Sequence, residues 1–309
     1  MKHSERRGPN FLIGGTVAAG TSFLSSVLIQ HPQIYLPKEM RPEPQFFFKS
    51  WEYEKGLDYY LERWFFEVPE TAVAVGERSS SYLHGGASVA RRIAEAYPQM
   101  KFIFTLRNPI ERAWANYRFT VLEGLEELDF EEALEREQER IASEEGRWAE
   151  IQPRSYTRRG YYGIQLKEYC DSFDREAILV IKSESLSKNT QAELLKIYTF
   201  LGLSDVRFTP ERVPDHTSFS VVDRRLQTRL RAHFGDDYYK IVEAIRKEQD
   251  LSVFVRNDAD ESAVEALRNN LKGTKEPMPQ ECRNYLRKLY ADDMKLLEQF
   301  VDFDISDWK

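Results

Sequence analysis

Short apolar runs alternate with helical patterns along much of the chain. The runs resemble buried strands and lie at 11–15 (FLIGG), 71–76 (TAVAVG), 101–106 (KFIFTL) and 177–181 (AILVI). Helical patterns begin near Ser22, Gly56, Ser88, Ile110, Tyr162 and Thr190. This alternation predicts an α/β fold with a central parallel sheet covered by helices on both faces. Ligands of such sheets bind outside the carboxyl ends of the strands.

The composition limits the possible partners. The chain has 309 residues, of which 41% are hydrophobic, and its formal net charge is −7. We predict a single domain over residues 1–309, with helical insertions at about 122–150 and 205–270. The negative charge argues against nucleic acid as a partner, so any anionic ligand would need a locally basic pocket. Cys170 and Cys282 show no metal-ligand spacing, and we expect both to be reduced.

The N-terminal stretch MKHSERRGPN is polar and charged, which argues against a secretory signal. No segment of the sequence approaches the roughly 20 apolar residues that a membrane span needs. We therefore expect a cytoplasmic protein with no membrane partner. The oligomeric state stays open.

The stretch FLIGGTVAAGTSFL, residues 11–24, joins an apolar strand to a glycine-rich turn and a helix start. Such a turn places backbone N–H groups and the positive end of a helix dipole at one point, which suits a phosphate. The Gly-Lys-Ser/Thr of a Walker A loop is missing, which disfavours a nucleotide kinase. From these residues alone, a phosphate site and a plain tight turn both remain open.

Arg107 follows a predicted strand in TLRNPIERAWANYRF, residues 105–119, and Pro109 suits the first position of a helix. An arginine at a strand end binds phosphate oxygens in pairs through its planar fork. The alternative is an arginine on the helix surface that pairs with Glu111 or another neighbour.

Glu43 lies between two prolines and just before three phenylalanines in PEPQFFFKS, residues 42–50. A carboxylate held stiffly beside apolar rings would have the raised pKa that a general base needs. The alternative is a solvated glutamate with no role in chemistry.

Taken together, these stretches resemble the sulfotransferases that use 3′-phosphoadenosine 5′-phosphosulfate (PAPS), especially the branch of heparan-sulfate and bacterial small-molecule enzymes. GGTVAAGTSFL resembles their 5′-phosphosulfate loop and RNPIERAWANY their 3′-phosphate motif. EPQFF followed by KGLDYYL resembles the segment that carries their catalytic glutamate. GERSSSYL (76–83), RRGYYGIQLKEY (158–169) and LKGTKEPMP (271–279) resemble three further motifs, and all six occur in the family's order.

The resemblance implies a P-loop-like, three-layer α/β domain that transfers a sulfuryl group in line from PAPS, without a metal, and leaves the product PAP. It implies that Glu43 removes the acceptor's proton and that Arg78 stands where the family has a catalytic lysine. The implied nucleotide-binding residues are Gly15, Ala19, Gly20, Thr21, Ser22, Arg107, Tyr162, Lys272, Gly273 and Thr274.

Two positions depart from the family pattern. Ala18 stands where the family has a lysine, and Ala115 stands where its 3′-phosphate motif has a serine. We interpret both as engineered substitutions that impair the enzyme; a naturally degenerate enzyme is the alternative. Loss of the lysine would damage chemistry, and loss of the serine would weaken nucleotide binding. Thr274 also replaces an arginine of the carbohydrate enzymes, with Lys275 beside it as a possible substitute.

The acidic balance predicts a small neutral or cationic acceptor, as in natural-product tailoring, with the acidic segment 122–150 near the acceptor's entrance. The alternative for that segment is a solvated helix face. The alternative for the whole chain is a non-catalytic protein that binds PAP or another nucleotide through the same fold.

Overall fold

The computed structural model describes residues 7–38, 42–212, 219–274 and 276–309. Strands β1–β5 span Phe11–Gly15, Ile34–Tyr35, Ala74–Arg78, Lys101–Leu106 and Ile178–Lys182. Helices α1–α8 span Thr21–Leu28, Ser50–Tyr53, Gly56–Trp64, Gly86–Ala96, Pro109–Leu122, Phe130–Glu135, Glu137–Ser143 and Arg147–Ile151. Helices α9–α15 span Tyr162–Cys170, Ser183–Lys188, Thr190–Leu201, Arg224–Phe234, Tyr238–Arg246, Asp258–Asn270 and Gln280–Leu297.

The five strands form one parallel sheet in the order β2-β3-β1-β4-β5. This confirms the predicted α/β class. Strand β3 begins at Ala74 and continues through Glu77 and Arg78, later than the predicted 71–76. An apolar pattern does not detect those two residues because both are charged. Strand β2 was not predicted, since two residues are too few to show a pattern.

Both faces of the sheet are covered by helices. On one face, Phe11 and Ile13 of β1 belong to a buried cluster with Leu24 of α1 and Ile197 of α11. On the other face, the ring of Phe102 lies 5.1 Å from that of Tyr169 in α9. Residues alternate between the two faces along each strand, so both faces need an apolar cover. The three-layer arrangement follows from this alternation.

The chain divides into two compact units. We name the part that holds the sheet, residues 7–112, 158–212 and 287–309, the sheet unit. We name residues 113–157, 219–274 and 276–286 the helical unit. Both predicted insertions fall largely in the helical unit, and the single-domain organisation stays a prediction.

The helical unit buries an apolar face of segment 122–150. Its members Phe130, Ala133, Leu134 and Ile141 are all buried. The carboxylate of Glu126 is also buried, and it accepts hydrogen bonds from Arg140 at 2.8 and 3.0 Å and from Tyr156 at 2.7 Å. An internal charge of this kind needs such partners. Part of the segment's acidity is therefore neutralised inside the unit.

In the sheet unit, the C-terminal tail packs back onto β5. Trp308 is only 2% exposed, and Lys182 lies over its ring at 5.3 Å. The last long helix, α15, ends at Leu297, before this tail. Within the described ranges, no helix is both long and apolar enough to cross a membrane.

Candidate active site

The turn after β1, in the sheet unit, is tight. Ala18 and Gly20 both have positive φ angles, 65° and 84°. The amide of Thr16 donates to the carbonyl of Thr105 in β4 at 2.8 Å, which ties the turn to the neighbouring strand. Gly20 stands at the N-cap of α1 and has no side chain with which to cap it. The first amides of α1 are therefore available to an external anion.

Glycine is required where the turn leaves β1. A Cβ added to Gly15, whose φ is 152°, would lie 3.1 Å from the Cβ of Leu83 and 3.2 Å from the carbonyl oxygen of Ser80. The turn therefore lies directly against the chain that follows β3. This contact places the glycine-rich turn beside residues 80–83.

Arg107 lies beside the glycine-rich turn. Its Nη1 atom donates to the carbonyl of Ala18 at 3.4 Å. The next residue, Asn108, caps α5, because its Oδ1 accepts from the amide of Ile110 at 3.0 Å. The amide of Asn108 donates to Oε1 of Glu184 at 3.0 Å. Sequence and fold thus bring the turn and this arginine together at the carboxyl ends of β1 and β4.

Tyr162 joins this group from α9. Its hydroxyl donates to the carbonyl of Arg107 at 3.0 Å, and burial raises its pKa, so the phenol stays protonated. Asp293 of α15 accepts from the amides of Gly163 and Ile164 at 2.9 and 3.0 Å, which anchors the start of α9. Tyr162 is therefore held from two sides.

Glu43 and Arg78 form an ion pair next to the turn. The Nη1 atom of Arg78 lies 2.5 Å from Oε1 of Glu43 and donates to Oγ of Ser22 at 3.0 Å. The side chains are 6% and 14% exposed for Arg78 and Glu43 respectively. The guanidinium thus connects the first turn of α1 with the candidate base.

The second carboxylate oxygen of Glu43 is bound on several sides. Its Oε2 accepts from the amide of Ser80 at 2.9 Å, from its hydroxyl at 2.8 Å and from Nε2 of Gln45 at 3.0 Å. Among the described residues, Oε1 accepts only from Arg78, so it is the oxygen with a lone pair left to take a proton. The solvated alternative for Glu43 does not describe this geometry.

Ala19 lies in the turn and Thr21 begins α1, both in the sheet unit, whereas Lys272, Gly273 and Thr274 lie in the helical unit. The amide of Gly273 donates to the carbonyl of Ser220 at 2.8 Å, and an added Cβ would lie within 2.8 Å of that oxygen. The Nζ atom of Lys272 donates to Oδ1 of Asn269 at 2.7 Å. Thr274 follows on the exposed side of the same loop, Ala115 is half-buried in α5, and Lys275 lies outside the described residues. Their roles at the nucleotide stay predictions.

Sequence reasoning missed several polar residues that hold the site. Ser80 and Gln45 bind Glu43, and Glu184 binds the turn after Arg107. The run of three serines after Arg78 was a signal for the first of these, since a serine hydroxyl can donate to a carboxylate. Within the described ranges, no group of three or more His, Cys, Asp or Glu side chains is arranged to hold a metal ion.

Comparison with known proteins identifies relatives that are described as sulfotransferases. Residues 9–233 match the family model described as "Sulfotransferase domain". The human "Bifunctional heparan sulfate N-deacetylase/N-sulfotransferase 2" is 30% identical over 206 residues, which cover 64% of this chain and 22% of that protein. The mouse "Bifunctional heparan sulfate N-deacetylase/N-sulfotransferase 4" is 26% identical over 207 residues, with 63% and 22% covered. The chain therefore spans about a fifth of the length of these relatives.

A solved structure supports the same assignment over most of the fold. The crystal structure of a sulfotransferase from Alicyclobacillus acidocaldarius superposes with a TM-score of 0.59 at 28% identity, covering 85% of this chain and 97% of that one. The family model covers well over half of the present sequence. The chain belongs to the sulfotransferase family.

Proposed function

We propose that this chain transfers a sulfuryl group from PAPS to a hydroxyl or amine of a small neutral or cationic acceptor. The observation that carries the proposal is the continuous contact from Ser22 through Arg78 to Glu43, with steps of 3.0 and 2.5 Å. This contact runs from the N-terminal end of α1, which suits an anion, to the half-buried carboxylate of Glu43. A group-transfer site needs both elements side by side.

The residues around the turn suit the phosphate groups of PAPS. The first amides of α1 and the helix dipole favour an anion, and Arg107 stands at the same turn with its fork. Tyr162 supports Arg107 through its carbonyl. We propose that Lys272, Gly273 and Thr274 also bind the nucleotide. The fit is incomplete at Ala18, where the family has a lysine.

The chemistry divides between PAPS and the protein. PAPS supplies an activated sulfuryl group when it is bound. Glu43 accepts the acceptor's proton at Oε1, while Ser80 and Gln45 fix the orientation of its other oxygen. The guanidinium of Arg78 is a cation that contacts both the base and Ser22, so it stabilises negative charge that develops between them.

The acceptor class is inferred from the negative charge of the chain. The net charge is −7, and the carboxylates of Glu127, Asp129, Glu131, Glu135, Glu139 and Glu145 are exposed on segment 122–150. A sulfated polysaccharide would be repelled by such a surface, whereas a neutral or cationic small molecule would not. The names of the curated relatives refer to heparan sulfate, so the acceptor is where we expect this chain to differ from them. The cytoplasmic location and a tailoring role stay predictions.

Transfer of radiolabelled sulfate from PAPS tests the proposal. We expect incorporation into aminated or hydroxylated small molecules by an Ala18→Lys variant, unchanged by EDTA. A heparin-derived oligosaccharide should compete poorly. Strong preference for the oligosaccharide would contradict the acceptor class, and loss of activity in EDTA would contradict metal-free transfer.

The alternative is a non-catalytic PAP-binding protein, and the observation that favours it is Ala18 itself. Without an ammonium group in the turn, the site retains anion binding but lacks one cation for the leaving phosphate. This alternative predicts PAP binding with no turnover even after Ala18→Lys. Turnover in that variant would exclude it.

A further inference from the structure

A second, fully buried carboxylate lies behind the site in the sheet unit. Glu77 of β3 is 0% exposed and is two residues before Ser79. Its Oε2 accepts from the hydroxyl of Ser79 at 2.8 Å. Its Oε1 accepts from the hydroxyl of Tyr82 at 2.7 Å and from that of Tyr60 at 3.3 Å. Glu77 lies within the motif GERSSSYL (76–83), but the mechanism proposed above gives it no role.

Two of these hydroxyls also receive a hydrogen bond from the segment that carries Glu43. The amide of Gln45 donates to Oγ of Ser79 at 2.7 Å, and the amide of Phe47 donates to the hydroxyl of Tyr82 at 3.4 Å. Each hydroxyl therefore connects one oxygen of Glu77 to one backbone amide of residues 43–47. We name these two paths the hydroxyl bridges.

The segment needs such an anchor. Gln45 has a φ angle of 44°, a left-handed conformation that costs a residue with a side chain roughly 1–2 kcal/mol. It lies two residues after Glu43, and its side chain donates to the Glu43 carboxylate. Strained backbone at a functional site persists only where the surroundings hold it. The hydrogen bond that the backbone amide of Gln45 donates to Oγ of Ser79 holds this residue from the protein interior.

We infer that Glu77 is a positioning residue that holds the Glu43 segment in place through the two hydroxyl bridges, and that it does so only as a carboxylate. An ionised Glu77 accepts from both hydroxyls, so both keep their lone pairs turned toward the amides of Gln45 and Phe47. A protonated Glu77 carries a hydrogen on one oxygen, so that oxygen donates to the neighbouring hydroxyl instead of accepting from it. That hydroxyl must reorient, which weakens its hydrogen bond to the backbone amide.

The Glu77 carboxyl changes its protonation state near neutral pH. Burial and, to a smaller extent, the charge of Glu43 raise its pKa, while the hydrogen bonds that it accepts lower it. The net effect is a pKa of about 7. The titratable groups that face it are Tyr60 from α3, Tyr82 from the chain after β3 and Glu43. On the side of β1 its register partner is the apolar Leu12. The bridges should therefore weaken as the pH falls below neutral.

Amide hydrogen exchange tests the inference without relying on activity. We expect Glu77→Gln to lower the protection of the Gln45 and Phe47 amides at least ten-fold, relative to intrinsic exchange rates. Glu193→Gln is the matched control, since Glu193 is a buried glutamate of α11 in the same unit that bonds to Lys196 at 3.0 Å. Unchanged protection in Glu77→Gln would overturn the inference.

Two further variants separate the bridges and remain informative if Glu77→Gln does not fold. Ser79→Ala should expose the amide of Gln45 while that of Phe47 stays protected. Tyr82→Phe should do the reverse. If both variants expose both amides equally, the bridges are not separate contacts and the inference is wrong.

The catalytic consequence rests on the proposed function and is measured in an Ala18→Lys background. Adding Glu77→Gln should lower kcat at least ten-fold, leave PAP affinity within two-fold, and remove an ionisation near pH 7 from the kcat profile. An unchanged kcat and profile would overturn the positioning role. If the Ala18→Lys parent shows no turnover, the proposed function fails, while the exchange experiment still decides whether Glu77 anchors the segment.

Discussion

Arg78 and Glu43 form a nearly buried ion pair, with Nη1 of the arginine 2.5 Å from Oε1 of the glutamate. The same nitrogen atom donates to Ser22 in the first turn of α1. A buried charge is stable only when its partner stays in place. Glu43, Arg78 and the first turn of α1 are therefore directly connected, and a change in Arg78 should affect all three.

Arg78→Met should remove the positive charge while keeping most of the side-chain volume. We expect kcat to fall by roughly 10²–10³, the usual cost of removing a donor that stabilises developing charge. The kcat of Arg78→Lys should lie between those of the parent and Arg78→Met. Single-turnover rates in the Ala18→Lys background would measure this. A rate in Arg78→Met equal to that of its parent would show that Arg78 is not part of the reaction.

Ala18→Lys should restore the cation that the turn lacks. The φ angle of 65° is strained for alanine and lysine alike, so the change adds a charge without new backbone cost. We expect turnover to rise by about 10²–10³. Ala18→Met is the matched control, because it adds length without charge, and it should give no gain. An equal gain in both variants would point to packing as the cause.

The charge of Glu77 should lower stability at neutral pH. Burial raises the pKa of Glu77 from its ordinary value of 4.5 to about 7, so between these pH values the folded state holds a proton that the unfolded state has lost. The free energy of unfolding should therefore fall as the pH rises from about 4.5 to 7, by roughly 3 kcal/mol in all. In Glu77→Gln this contribution should vanish.

Urea unfolding at several pH values checks the pH dependence of Glu77. The difference in unfolding free energy between the unmodified protein and Glu77→Gln should shift in favour of the variant as the pH rises through this window. A difference that stays constant with pH would show that Glu77 does not titrate there.

Asp293→Ala should loosen the start of α9. The carboxylate accepts from two amides there, at 2.9 and 3.0 Å, and it is 5% exposed. We expect a loss of about 1–2 kcal/mol, typical of a removed N-terminal cap, together with weaker PAP binding through Tyr162. Asp293→Asn keeps an acceptor and should lose less. Equal losses in both variants would argue that charge matters more than the hydrogen bonds.

The fold was largely predictable because its signals are local. The strands at 11–15 and 101–106 agree in full with the structure, since each is a continuous apolar run that ends at a turn signal. Helix starts at Gly56, Tyr162 and Thr190 also agree, because glycine and the polar-to-apolar change mark them. Strand β3 was displaced because its last residues, Glu77 and Arg78, are charged although buried.

The site was predictable only in part, for a physical reason. Residue types and family order indicated Glu43, Arg78 and Arg107, but their partners come from distant parts of the chain. Glu184 is 76 residues from Asn108, and Ser80 is 37 residues from Glu43. Neither contact has a local pattern. The burial of Glu77 depends on the packing of Tyr60 and Tyr82 around it, which no periodicity shows.

Calorimetric titration with PAP tests the central claim most directly, namely that the turn and Arg107 form a nucleotide site. We predict saturable binding by the unmodified protein and binding at least ten-fold weaker in Arg107→Ala, since a charge-assisted hydrogen bond contributes about 1.5–3 kcal/mol. Arg91→Ala, an exposed arginine of α4 in the same unit, should bind as the unmodified protein does. No heat of binding in the unmodified protein, or equal affinity in Arg107→Ala, would contradict the account.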